Sequence, residues 1–304
     1  MQPSSSNERS RAMGPTALQL YTRTASRSAQ VVIGEYSTSF SLACRLLGRT
    51  TRAHIANIYA LVRLADEVVD GVASEAGLPA VAIAEALDRL EQETEAALRT
   101  GYSTNLVVHA FVCTARRHGI TTELTAPFFA SMRQDLQSQS HDEQSLEHYI
   151  YGSAEVVGLM CLKVFQAMPG ARPDPQKHSE QAARRLGSAF QKVNFLRDLA
   201  ADSQELGRTY LPESHPSRLD EQVKMQLVRD ITGDLDAALD GVPYLAPRAA
   251  QAVRMAHGLF SELNAKLART PARDLLERRI SVSSPRKALI AARTFLPATS
   301  RRHV

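Results

Sequence analysis

The stretch YALVRLADEVVD at residues 59–70 and the stretch QKVNFLRDLAAD at residues 191–202 carry one pattern twice. Each is largely apolar, and each closes on D-x-x-x-D: Asp66 and Asp70 in the first, Asp198 and Asp202 in the second. Four residues make about one helical turn, so each pair sets two carboxylates on one face. Like charges at that spacing destabilise a bare helix by a few tenths of a kcal/mol. About 6 Å apart, at an effective dielectric near 20, two carboxylates repel by roughly 3 kcal/mol. An arrangement present twice calls for a cation to offset it. Carboxylate pairs on facing helices suit Mg²⁺, or Mn²⁺, a hard ion that takes oxygen ligands and shares its shell with water and phosphate.

The rest of the chain reads as helix too. Apolar periodicity and stop signals predict helices over 52–69, 80–99, 105–117, 123–137, 146–168, 179–206, 221–239, 246–267 and 285–295. Period-2 alternation is scarce, and no repeat of fixed period occurs. The expected fold is all-α: one helical bundle around a central site. Residues 1–14 are polar, rich in Ser and Arg, and read as a disordered tail. Residues 15–297 form the domain, and 298–304 a basic C-terminal tail.

Composition bounds the function. At 304 residues, 44% hydrophobic and 22% charged, the chain is an ordinary globular protein. Its net charge of +4 is spread along the sequence and does not argue for nucleic acid. The basic run from Arg278 and Arg279 through Lys287 to Arg301 and Arg302 could meet phosphate or an anionic membrane, or be a solvated helix end. Cys44, Cys113 and Cys161 have no C-x-x-C spacing and read as reduced, packed thiols of a cytoplasmic protein. No apolar run is long enough to span a bilayer. There is no H-E-x-x-H, no Walker sequence and no G-x-G-x-x-G, so no nicotinamide site is expected.

Around the second acidic pair, Gln191, Asn194, Asp198, Asp202 and Glu205 fall within an arc of about 80°, flanked by Val193, Phe195, Leu196 and Leu199. A solvated stripe would normally mix in Lys; this one holds amides and carboxylates, with Arg197 beside it. Tyr59, Arg63, Asp66 and Asp70 share a similar arc of about 60°. The block YSTSFS at 36–41 offers hydroxyls for helix caps or for phosphate oxygens, and the residues alone do not choose. The run YIYGSA at 149–154, with Gly158, marks close approach by a helix or a ligand.

Together these motifs, with GRTYLP at 207–212, resemble the squalene/phytoene synthase family, and within it the phytoene synthases of carotenoid-making actinobacteria. The resemblance implies an isoprenoid-synthase bundle with a central tunnel. It implies a prenyl transferase that joins two geranylgeranyl diphosphates head to head, through a cyclopropyl diphosphate, to phytoene. Mg²⁺ (or Mn²⁺) would be held by Asp66, Asp70, Asn194, Asp198 and Asp202. Ser37, Arg63, Gln191, Asn194, Arg197 and Arg279 would face diphosphate, and Tyr149 and Tyr210 the reacting carbons or the shed diphosphate. The tunnel would be walled by Phe40, Cys44, Ala56, Ala154 and Gly158, with Cys44 and Ala56 near its deep end. A peripheral contact at the inner face of the cell membrane for product release, and other carotenoid enzymes, are implied partners. Two departures stand out: Glu155 where the family often has a small residue, and Phe260 where it often has Tyr. The alternatives are a dehydrosqualene- or squalene-type synthase using farnesyl diphosphate, and a non-catalytic helical assembly factor.

Overall fold

A computed structural model describes residues 14–137, 142–204, 219–277 and 279–294, apart from the side chains of Ser39, Glu143, 200–204, Arg293 and Thr294. Among the described residues there is helix and no strand. The longer helices are α1 (Ala17–Tyr36), α3 (Arg49–Val69), α5 (Ala80–Thr100), α6 (Leu106–His118), α7 (Thr122–Gln137), α10 (His178–Gln204), α11 (Glu221–Ala237) and α12 (Pro247–Arg269). Shorter ones are α2 (Thr38–Cys44), α4 (Val72–Glu75), α8 (Glu143–Ile150), α9 (Val156–Gln166), α13 (Ala272–Leu275) and α14 (Ser284–Thr294). No helix among the described residues is long and apolar enough to cross a membrane.

Beside two smaller clusters, two large apolar cores dominate the described residues. One gathers side chains of α3, α5, α6, α7 and α9, including Ile55, Leu61, Phe111, Phe128 and Met160. The other gathers α10, α11, α12 and α13, including Leu196, Ile231, Leu263 and Leu275. The first acidic motif rides on α3, at the centre of one core, and the second on α10, in the other.

The helix α1 is absent from the sequence reading. Its buried stripe is Ala25, Ala29 and Ile33, too small to register as an apolar face, and it packs on Ala60 and Ala110. Its start was legible: Thr16 and Gln19 form a capping box. The single helix expected over 146–168 is instead α8, a π-turn at Tyr151–Glu155, and α9. The expected 221–239 helix ends at Ala237 and continues as a 3₁₀ turn, Ala238–Tyr244.

Close backbone approach explains the glycines of this region. A Cβ on Gly152 would sit 2.2 Å from the Pro127 carbonyl oxygen, and one on Gly158 would sit 2.5 Å from the Ala183 carbonyl oxygen. Here, helix packing is the reason for the small residues. Gly152→Val should therefore destabilise the protein by about 1–3 kcal/mol through overpacking. Denaturant unfolding checks this; an unchanged midpoint would mean the π-turn can move off α7.

Candidate active site

Between the two cores lies a cavity of about 790 Å³. One wall comes from α3, through Ile55, Ile58, Tyr59, Val62, Arg63, Asp66 and Asp70. The opposite wall comes from α10, through Gln191, Asn194, Arg197 and Asp198. Ser37, Phe40, Cys44, Tyr149, Ala154, Gly158 and Arg279 line it as well. Nearly every site residue expected from sequence, the two motifs lying 132 positions apart, thus meets in one space. Asp202 lies on α10, but its side chain is outside the described residues, and Tyr210 is wholly outside them.

The two acidic ends are balanced differently. On α3, burial and then the charge of Asp70 push the Asp66 carboxyl up from its ordinary 3.8 to about 8; Arg63 opposes this. Arg63 itself pairs with Glu67 and lies over the Tyr36 ring, 4.6 Å from its centroid. Its Nε is buried without a hydrogen-bond partner. On α10, Asp198 is held by two guanidinium groups. Arg197 Nε donates to its Oδ1 at 2.9 Å, with a second contact from the other Arg197 nitrogen, and Arg279 Nε lies 2.7 Å from the same Oδ1.

The residues fit a hard divalent cation. The motif donors are oxygens, and Asn194 Oδ1 is buried with no hydrogen-bond partner. Among the described residues no three His, Cys, Asp or Glu side chains converge to hold an ion by themselves. An ion here would complete its shell with water and phosphate oxygens, as Mg²⁺ usually does.

Ser37 settles the question of the hydroxyl block in part. It caps α2, accepting from Phe40 N at 3.2 Å. The basic run is internally engaged where it is described: Lys287 Nζ donates to Thr38 Oγ1 at 2.9 Å and Arg286 pairs with Glu262 at 2.7 Å. Cys44 and Cys161 are free thiols that line the cavity, and burial pushes each up to about 12, so neither is a nucleophile at neutral pH. Sequence reasoning missed Asp135 of α7, which lines the cavity and accepts the Tyr149 hydroxyl at 3.0 Å. A lone acidic residue without a spaced partner gave no signal.

The family model described as squalene/phytoene synthase matches residues 33–286. The chain belongs to the squalene/phytoene synthase family. It is 28% identical over 279 residues to a phytoene synthase of Mycobacterium tuberculosis, covering 84% of this chain and 85% of that one. It is 30% identical over 271 residues to a 15-cis-phytoene synthase of a Paracoccus species, covering 84% and 86%. Among solved structures, a dehydrosqualene synthase in complex with ligand superposes with a TM-score of 0.73 at 21% identity, over 90% of this chain and 96% of that one. That likeness speaks to the fold.

As a squalene/phytoene synthase, the chain departs from expectation at three places. Ala56 is fully buried but packs in the core of α3 and its neighbours rather than lining the cavity. The phase of α3 explains it: Ile55 lies within about 20° of Asp66 around the helix, and Ala56 about 80° away. Glu155 is matched across the seam of α9 and α10 by Arg184, whose Nε lies 2.6 Å away. Phe260 stacks on Phe190 with centroids 3.6 Å apart, and both rings line the cavity.

The raised Asp66 carboxyl has a stability consequence. Between about pH 4 and pH 8 the folded, metal-free protein keeps a proton on Asp66 that the unfolded chain has lost. The folded state then binds more protons, so this group's contribution makes stability fall as pH rises through that window. Asp66→Asn removes the effect. In excess chelator, the variant's melting temperature should rise relative to wild type as pH goes from 5 to 8; a constant difference would show that Asp66 ionises freely.

Proposed function

We propose that this protein is a phytoene synthase, joining two molecules of geranylgeranyl diphosphate head to head through a cyclopropyl diphosphate to phytoene. The observation that carries the reading is the meeting of both acidic motifs around one cavity that Arg63, Arg197 and Arg279 also line. Two diphosphates bring roughly six negative charges, and only a site with several cations and guanidinium groups can hold them. Asp66, Asp70, Asn194 and Asp198, with Asp202 from the same motif, would hold Mg²⁺. When bound, the ion supplies Lewis-acid charge to the leaving diphosphate.

The chain's own groups do the rest. Arg197 and Arg279 exchange the Asp198 carboxylate for phosphate oxygens, a partner with more charge and fork-matching geometry. Phe40, Leu47, Val157, Phe165 and Leu259 form apolar walls that keep water from quenching allylic cations. Tyr149 stands at the wall with its hydroxyl oriented. Ile55, 11 residues before Asp66 on the same face, puts the cavity's reach at about 16 Å along α3. The hydrocarbon product would pass to a membrane surface.

Purified protein given Mg²⁺ and geranylgeranyl diphosphate, without NADPH, should yield a C40 hydrocarbon by mass analysis, and none in excess chelator. A product formed only with NADPH, or only from farnesyl diphosphate, would overturn the assignment.

Chain length would be set at the deep end, where the resemblance puts Cys44. Cys44 is small, buried and lines the cavity, and each extra buried methylene of substrate is worth about 0.8 kcal/mol. Cys44→Phe should shift preference toward the C15 diphosphate by roughly tenfold or more in the ratio of kcat/KM values. Ala56→Trp should instead lower stability, because its side chain has no cavity to fill. Unchanged preference in Cys44→Phe would place the tunnel floor elsewhere.

A further inference from the structure

We propose that Asp135 is a positioning residue for the reaction: it holds the Tyr149 hydroxyl proton turned into the wall, so that the phenolic oxygen presents its electron density to the cationic carbons in the cavity. The proposal rests on the reading of the cavity as a prenyl-transfer site.

Asp135 and Tyr149 both line the cavity, and their residues are only 8% and 3% exposed. The Tyr149 hydroxyl donates to Asp135 Oδ2 at 3.0 Å. A neutral amide could accept that bond at much lower cost, since taking a carboxylate out of water costs several kcal/mol. What the carboxylate adds is polarisation. A hydrogen bond to a charged acceptor is roughly twice as strong as a neutral one, and it draws the proton away from the phenolic oxygen. That oxygen then offers a fixed partial negative charge, which costs no reorganisation when a cation forms nearby.

The surroundings fix Tyr149 from three sides. Ser131 Oγ, one helical turn before Asp135 on α7, donates to the Tyr149 carbonyl oxygen at 3.1 Å. Gly152, three residues on, lies so close to α7 that a Cβ would meet Ser131 Oγ at 2.2 Å. The ring of Phe195 from α10 lies 6.1 Å away between centroids. The π-turn at Tyr151–Glu155 follows directly, and such turns are frequent at functional sites. Backbone, ring and hydroxyl of Tyr149 are thus each held by a different partner, and Asp135 is the only charged one of these three.

The test is a double-mutant cycle with geranylgeranyl diphosphate and Mg²⁺, with melting curves for each variant. Tyr149→Phe should lower kcat, and Asp135→Asn should lower it by roughly 10- to 100-fold with KM within about twofold, because the lost charge acts on the transition state. The double variant should fall within about threefold of Tyr149→Phe alone, the two acting as one unit. Asp135→Glu, which keeps the charge one methylene longer, should retain more kcat than Asp135→Asn. Three results would overturn the proposal. The first is wild-type kcat in Asp135→Asn while Tyr149→Phe is impaired. The second is multiplicative losses in the double variant. The third is equal kcat losses and lowered melting in both Asp135 variants, the mark of a merely structural carboxylate. Wild-type kcat in Tyr149→Phe would instead sink the role of Tyr149 itself.

Discussion

Gathering several carboxylates around one buried cavity is the constraint from which the rest of this structure follows. Asp66, Asp70, Asp135 and Asp198 all line the same space, and pairs of such charges repel by roughly 3 kcal/mol at 6 Å and an effective dielectric of 20. The protein meets the cost differently on its two walls. On α3 the charge is suppressed: Asp66 holds its proton to unusually high pH. On α10 it is neutralised: two arginines share Asp198. On the proposed reading, a cation at α3 would compete with a proton and a phosphate at α10 would compete with a carboxylate, and a cation–diphosphate pair would relieve both at once.

The acidic motifs were legible because their information is local. Residue type and a spacing of four mark them as paired carboxylates, and an otherwise apolar helix says that they are not simply solvated. Asp135 was not legible, because its meaning lies in a contact with Tyr149 fourteen positions away on another helix. The contact of Lys287 with Thr38, 249 positions apart, was hidden for the same reason. Ala56 was a different kind of miss. The phase that sends it away from the cavity follows from Asp66 and 100° per residue, so the sequence held the answer.

At the level of fold, large apolar side chains made α3, α5, α6 and α10 readable, whereas α1 buries mostly alanine and was passed over. Alanine is ambiguous in sequence because it suits both a tight interface and a solvated face. Only the partners, Ala60 and Ala110, show which applies. The π-turn after Ile150 was invisible for a related reason. An inserted residue shifts the register of everything downstream, yet locally Tyr-Gly-Ser-Ala-Glu scans as ordinary helix.

That register shift bears on how the cavity comes to exist at all. A Cβ on Gly187 would lie 2.6 Å from the Ala154 carbonyl oxygen, and one on Gly158 would lie 2.5 Å from that of Ala183. The helices α9 and α10 therefore touch backbone to backbone at this seam. Gln191, Asn194 and Asp198 follow Gly187 at intervals of four, seven and eleven, which keeps them on its face of α10. The face that is clamped against α9 at Gly187 is thus the same face that opens into the cavity one to three turns later. Helices that converge at one point and cross at an angle must part beyond it. The glycines set a point of closest approach, and beyond it the same face of α10 lines the cavity. Because the seam is backbone against backbone, it cannot relax by side-chain rotation, so the polar stripe of α10 and the Tyr149 wall are held at a fixed relation without any ligand to bridge them.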